Sequence, residues 1–308
     1  MLSIIVSSYN QNNFCQFEES VSKTIGEIPY EIVKIDNPGI MGICEAYNLG
    51  VSRAKYEYLC FSHDDVAMVT PGWGNKLVEI FKTNPSVGIV GIAGSSYRSL
   101  APSGWYAKDS KRFEYINLLQ DYRYQSHPPE HKVNNPKNER LAKVICVDGV
   151  WFCTKKSVVN EFPFDEITFK KYHCYDLDFS LSVHHKYEAV VTFDILLRHF
   201  SEGNYWSKEW AEETLALFYK WKHKMPICVE AIGKKEQRAI ELGALRQFSF
   251  CLRLLDFRLL AILRFISSVE LFRFVPFGEL IRLYSVILYA WFKKTVKAQM
   301  SFKKPLHA

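Results

Sequence analysis

The sequence predicts an α/β fold, a Rossmann-like sheet with flanking helices, carrying a basic helical region at its C-terminal end. Three observations lead there. Strand and helix patterns alternate as β-α-β-α-β within the first 65 residues, the signature of a right-handed parallel half-domain. Each of the three strands runs out into a polar cluster: Ser7-Ser8-Tyr9, Asp36-Asn37 and His63-Asp64-Asp65. Such clusters lie at the carboxyl edge of the sheet, where open α/β folds bind ligands. Finally, residues 245–308 hold 11 Lys/Arg against 3 Asp/Glu in a chain whose total net charge is only +6. The basic character therefore belongs to the tail and not to the sheet edge.

In chain order, Leu2 to Ser7 is a β-branched apolar run of the kind that forms a central strand buried on both faces. Helical spacing over Asn13 to Ile28 leads to a second strand, Tyr30 to Ile35, and Gly42 to Ala54 is a helix feeding the strand Tyr58 to Ser62. Pro71-Gly-Trp-Gly74 is a turn, Asn75 to Thr83 an amphipathic helix, and Val87 to Ala93 a fourth strand. Residues 94–140 are polar, rich in Tyr, Pro, Lys and Asn, and without period; a long insertion of that sort reads as a loop-rich substrate-side region. Val144 to Thr154 is a strand interrupted at Asp148-Gly149, Phe179 to His184 is helical, and Ala189 to Leu197 is a strand ending at Arg198-His199. Asn204 to Lys224 is a charged helix closed by Pro226.

A hydrophobic content of 48% with 15% aromatic residues supports a sizeable core in one large or two modest domains, and excludes wholesale disorder. The eight cysteines stand singly, with no C-x-x-C pair and no zinc-site spacing, as expected in a reducing cytosol. Met1 to Asn10 lacks the basic n-region and cleavage site of a signal peptide and reads as the first strand.

Taken together, residues 1–225 resemble the inverting glycosyltransferases of family 2 type, which have the GT-A fold. Val6-Ser-Ser-Tyr-Asn10 is similar to the family's opening strand and nucleotide loop, and Asp36-Asn37 to the acid that reads a uracil-type base. Gly42-x-x-x-Ala46-Tyr-Asn48-x-Gly50 resembles the Gly-x-x-x-Ala-Arg-Asn-x-Gly helix. Phe61-Ser-His-Asp-Asp65 falls where the metal-binding Asp-x-Asp lies, and Phe164-Asp-Glu166 with Tyr175-Asp-Leu-Asp178 resembles the segments around the catalytic base. Three positions depart from the pattern: His63 for an Asp, Tyr47 for an Arg and Tyr175 for a Glu. The His-Asp-Asp form, the strand ending in His199 and the following Ser-x-Gly look most like the StrF-type subgroup of streptomycin biosynthesis.

The resemblance implies a nucleoside diphosphate sugar donor, UDP-linked, contacted by Ser7, Ser8, Tyr9, Asp36, Asn48 and Asp64. It implies a divalent cation, Mn²⁺ or Mg²⁺, that neutralises the leaving diphosphate. Asp65 is its clearest ligand, with His63 and His199 as further candidates. Asp176 and Asp178 are the catalytic candidates, and Asp176 is assigned as the general base that takes the acceptor proton. Acids in a first helical turn also suit the macrodipole, which is the plain alternative for both. Trp105 and Trp151 are candidate sugar platforms as well as candidate core residues.

Residues 226–308 form a second region. Within it, residues 245–308 alternate Leu, Phe, Ile and Tyr with six Arg and five Lys, and no run reaches about 18 apolar residues free of charge. Basic, aromatic-rich helices of this kind lie on an anionic membrane surface, with Tyr289-Ala-Trp-Phe-Lys-Lys294 as an interfacial anchor. The alternative is a helical subdomain packed on the catalytic core. A place on the inner face of the cell membrane fits a surface-glycan or lipid-linked glycan acceptor, and a tail this apolar does not point to nucleic acid. Two rival functions stand beside the transferase. A sugar nucleotidyltransferase would need a Gly-rich, basic phosphate loop that Val6 to Asn13 lacks, and a non-catalytic nucleotide-sugar-binding or scaffold protein would bind the donor without transferring it.

Overall fold

A computed structural model describes residues 1–123, 126–201, 203 and 205–302. Seven strands form the main sheet, in the order Leu141–Val144, Glu188–Thr192, Val87–Gly91, Trp151–Lys155, Tyr58–Ser62, Leu2–Ser8, Tyr30–Asp36. Leu2–Ser8 runs parallel to both Tyr30–Asp36 and Tyr58–Ser62, as the β-α-β-α-β pattern requires. Trp151–Lys155 enters antiparallel between Tyr58–Ser62 and Val87–Gly91, which makes the sheet mixed.

Side chains alternate across this sheet. Ile5, Phe61 and Phe152 pack on one face, and Ile4, Val6, Cys60 and Cys153 on the other. The helix Gln11–Thr24 is capped by the Asn10 side chain, which accepts from the amides of Asn12 and Asn13. The helix Ile43–Arg53 lies directly on the first strand: a Cβ at Gly50 would stand 2.3 Å from Ile5 Cγ2. Only glycine allows that approach.

The expected boundaries change where one apolar run serves two sheets. Val87–Gly91 and Ala93–Ser95 belong to different sheets, as do Cys146–Val147 and Trp151–Lys155, and Glu188–Thr192 and Leu197–His199. The second sheet has the order Cys146–Val147, Ala93–Ser95, Glu114–Gln120, Leu197–His199, Val66–Met68, with Glu130–Asn134 added on Glu114–Gln120. Residues 94–140 are thus more ordered than a loop-rich insertion. Glu114–Gln120 lacks a clean alternation because both of its faces are partly covered, and Glu130–Asn134 is a charged edge strand. The predicted turn at 71–74 is itself the start of a helix, Trp73–Thr83. The helix expected from Asn204 begins at Lys208, where the Ser207 hydroxyl caps the Trp210 amide. Tyr124, Gln125, Asn204 and residues 303–308 fall within expected regions but lie outside the described residues.

Among the described residues the tail forms three α-helices, Lys234–Leu254, Leu259–Ile266 and Phe277–Phe302, with a 3-10 turn at Val269–Arg273 between the last two. None among the described residues is long and apolar enough to cross a membrane. Their inner faces share the main core: Phe248 packs edge-on to Trp210 and Phe265 edge-on to Phe218. Glu241, fully buried, fastens the first of these helices, its carboxylate accepting from Tyr97 Oη and from the amides of Leu100 and Ala101. Glu241→Leu strands those donors, and should lower the unfolding free energy by about 3 kcal/mol in a urea titration. An unchanged midpoint would remove Glu241 as the fastening of the tail.

Candidate active site

Strand Tyr58–Ser62 ends at the sheet edge, where the His63 amide donates to Val150 O. Val66–Met68 then pairs antiparallel with Leu197–His199, His199 standing opposite Val66. That pairing brings His63, Asp65 and His199 together, one ligand atom from each lying within 4.8 Å of the others. Asp65 Oδ1 faces His63 Nδ1 at 3.8 Å and His199 Nε2 at 3.6 Å, while its Oδ2 accepts from the Ser201 hydroxyl. Burial would raise the Asp65 carboxyl, but His199, His63 and Ser201 outweigh it and hold the group well below the ordinary carboxylate range.

The donor chemistry of this cluster fits a cation. Gln120 Nε2 donates to the carbonyls of Asp121 and Ser201, so its Oε1 faces His199 Nδ1 at 3.4 Å and takes the imidazole proton there. In the neutral ring the His199 Nε2 lone pair is then left facing Asp65, whereas a second proton on that nitrogen would set an N–H against the carboxylate and hold it ionised. His63 is engaged through Nε2 by the Tyr175 hydroxyl at 2.9 Å, so it too turns Nδ1 toward Asp65. Separations of 3.6 and 3.8 Å are too long for hydrogen bonds, yet of the size that ligand bonds of about 2.1 Å leave between neighbouring donors. Burial lowers the His63 pKa, which favours the neutral ring a metal requires.

The two acids of the helix Tyr175–Val183 part company. Its first turn is entered through Cys174 in the left-handed region, φ 62°, a sharp reversal that presents the helix start to the cluster. Asp176 is half-buried, with Oδ1 accepting from the Leu177 amide at 2.9 Å. Burial first, and then the neighbouring Asp148, push its pKa up to about 7. Asp178 lies two residues on and turns into the core, where its carboxylate accepts from Trp221 Nε1 at 2.7 Å and pairs with Lys220 at 2.8 Å. Lys220 also pairs with Asp165, so Asp178 anchors the helix Lys208–Trp221. Among the described residues its two oxygens are spent on that helix.

The expected donor contacts are also heavily used by the protein. Asp64 Oδ2 accepts from the amides of Tyr9 and Asn10, shaping the loop after the first strand and leaving Tyr9 exposed. Asn37, buried, donates to Ser7 Oγ and Met41 O, and its amide nitrogen donates to the Ser8 carbonyl. Asp36 is exposed and paired with Lys34. Asn48 bonds both backbone groups of Phe164 and the Glu166 carboxylate, tying its helix to the 164–166 loop. Tyr47 is fully buried among Phe61, Phe164 and Tyr175. Trp151 is likewise core, edge-on to Trp73, because it alternates inward along a central strand; it is not a sugar platform. Trp105 is only partly buried and packs edge-on to Tyr106.

The profile of a glycosyltransferase-like family matches residues 3–225. The chain belongs to that family. No curated protein matches by sequence. Among solved structures, residues 1–349 of TarS from S. aureus align with 95% of this chain and 91% of theirs, at 12% identity and TM-score 0.50. GalNAc-T7, solved with UDP, GalNAc and Mn²⁺, aligns with 81% of this chain and 56% of its own at 10% identity and TM-score 0.48. The likeness to TarS shows a shared fold, and the mixed sheet with flanking helices is that of GT-A glycosyltransferases.

Several residues of this glycosyltransferase's site escape sequence reasoning. Asp148 reads as a turn residue but stands beside Asp176, with Tyr205 Oη 3.5 Å from its Oδ2. Ser201, on Asp65, had a signal in the Ser-x-Gly after His199; Gln120, on His199, had none, since it lies in a stretch without period. The two helix acids separate in a stability measurement. Asp178→Ala strands Trp221 Nε1 and should lower the unfolding free energy by about 2 kcal/mol. Asp176→Asn at pH 8, where the native carboxyl is ionised against its environment, leaves stability unchanged or raised. Equal losses in urea titrations of both variants would reverse these assignments.

Proposed function

We propose that this glycosyltransferase moves a sugar from a nucleoside diphosphate donor with inversion, Asp176 serving as general base. The supporting observation is convergence: the His63–Asp65–His199 donor set and the high-pKa Asp176 carboxylate share one sheet edge, linked through Tyr175. A UDP-linked donor accords with TarS, also solved with UDP-GlcNAc, and with the uracil-reading acid resembled by Asp36. Ser7, Ser8, Tyr9 and Asp64 line the edge where the nucleotide would lie.

His63, Asp65 and His199 would hold the divalent cation, whose role is to offset charge on the departing diphosphate. Two imidazoles with one carboxylate suit Mn²⁺ better than Mg²⁺, which prefers oxygen ligands. The acceptor oxygen attacks the anomeric carbon from the face opposite the diphosphate. Asp176 takes its proton as the new C–O bond forms and the bond to the diphosphate oxygen breaks. A base ionising near pH 7 is matched to this task, and the charge of Asp148 raises its proton affinity.

The tail carries the acceptor side of the proposal. The helices Lys234–Leu254 and Leu259–Ile266 and the first turns of Phe277–Phe302 pack on the transferase by their inner faces, while Leu260, Phe277 and Phe292 are 79%, 77% and 62% exposed. Arg258, Arg264, Arg282 and Lys293 are exposed on the same helices. Exposed apolar side chains among cations fit an anionic lipid surface, and so an inner-membrane position and a lipid-linked or surface-glycan acceptor. Membership of the StrF-type subgroup is proposed on His63-Asp64-Asp65 and His199.

Purified protein given UDP-, GDP- and dTDP-sugars should release one nucleotide slowly, and faster with Mn²⁺ than with Mg²⁺. Because the base acts ionised, the rate should rise as pH passes about 7 and then level off. Asp176→Asn should retain donor binding and lose roughly 10²- to 10⁴-fold in turnover; a variant as active as the parent would exclude Asp176 as the base. Co-sedimentation with vesicles containing phosphatidylserine should be lost in the triple variant Leu260→Glu, Phe277→Glu, Phe292→Glu. Undiminished sedimentation would refute the membrane assignment.

A further inference from the structure

The three departures from the family pattern meet at Tyr175. His63 Nε2 lies 2.9 Å from Tyr175 Oη, and the same hydroxyl donates to Gly149 O at 3.0 Å. Tyr175 is 4% exposed, and its ring packs edge-on to Tyr47. The hydroxyl fits only because residue 149 is glycine: a Cβ there would stand 2.1 Å from Tyr175 Oη.

Proton counting assigns a role to this contact. A phenol has one proton, and a backbone carbonyl can only accept. The Tyr175 proton therefore goes to Gly149 O, and the phenol oxygen faces His63 as an acceptor. Nε2 of His63 must then carry the ring proton. Nδ1, the nitrogen 3.8 Å from Asp65 Oδ1, is left with a free lone pair. We propose that Tyr175 is a positioning residue that makes His63 a metal ligand through Nδ1, and that His63 and Tyr175 function as a pair. The reason is chemical. An acid at position 63 offers lone pairs in any orientation, whereas a histidine offers one, on whichever nitrogen its partner leaves unprotonated. Replacing the family's Asp by His63 thus creates a need for tautomer control that the hydroxyl at position 175 meets. Gln120 does the same for His199 from the opposite side.

This inference rests on the proposed metal site, and the test separates the two. Mn²⁺ affinity is measured by electron paramagnetic resonance of the free ion, without donor, in the parent, Tyr175→Phe, His63→Asp and the double variant. Tyr175→Phe removes only the hydroxyl and keeps the buried ring. The expected result is a 10- to 100-fold weaker Mn²⁺ affinity in the parent background, with little or no effect where residue 63 is Asp. Equal losses in both backgrounds would mean that Tyr175 merely supports the fold, and no loss in either would mean that it has no part in binding; either overturns the pairing. Failure of the parent to bind Mn²⁺ would overturn the metal site itself, and the pairing with it. Long-range ¹⁵N–¹H spectra of the ¹⁵N-histidine-labelled, metal-free parent, assigned against His63→Asp, read the tautomer directly. A proton on Nδ1 of His63 would refute the proposal without reliance on any variant at position 175.

Discussion

The short antiparallel pairing of Val66–Met68 with Leu197–His199 is the contact on which the site depends. It places His199 opposite Val66, and Phe200 then donates its amide to the Asp65 carbonyl. A register slip of one residue would turn His199 to the other face of the sheet and pull Ser201 away from Asp65. The pairing is secured from both sides, by the parallel strand Glu114–Gln120 against Leu197–His199 and by burial of Val66, Met68 and Leu197. A three-residue strand could not hold this register alone; the second sheet holds it.

Around that contact three carboxylates have been given different lives by their surroundings. Asp65 keeps its charge because the Ser201 hydroxyl donates to it and either neighbouring imidazole, once protonated, sets a positive charge against it. Asp178 is neutralised by Lys220 and hydrogen-bonded by Trp221, which makes it a fastening for a helix. Asp176 has burial and a second carboxylate against it, and so holds its proton to about pH 7. The same residue type is thus suited to three tasks, the proposed ligand, a helix anchor and the proposed base, according to which neighbours the fold supplies.

The C-terminal helices show a comparable division. Phe248 and Phe265 complete the core around Trp210 and Phe218, and Glu241 satisfies the backbone amides of Leu100 and Ala101. The outward faces keep large apolar residues among arginines. Packing on the core and presenting a surface are therefore compatible here, because a helix has two faces and the catalytic unit covers one. The packed alternative read from composition describes the inner side of these helices, and the membrane proposal concerns only the outer.

Sequence alone determined the alternating α/β plan, the three polar strand ends and the order of the family's motifs, because strand and helix periods and local turn chemistry are written in neighbouring residues. It also gathered His63, Asp65, Asp176 and His199 as candidates by type and position. It put Asp176 ahead of Asp178 as the base but held no physical reason for that order: both sit in the first turn of one helix, and their difference lies in Asp148, Lys220 and Trp221, which are distant in sequence or on another element. Nor could it distinguish one long strand from two strands in different sheets, since a buried run looks the same in either. The hydrogen-bond partners Gln120, Tyr175 and Ser201 were decided only by the tertiary structure. Which nitrogen of a histidine is free, and which acid keeps its proton, depend on what the fold brings within a few ångströms.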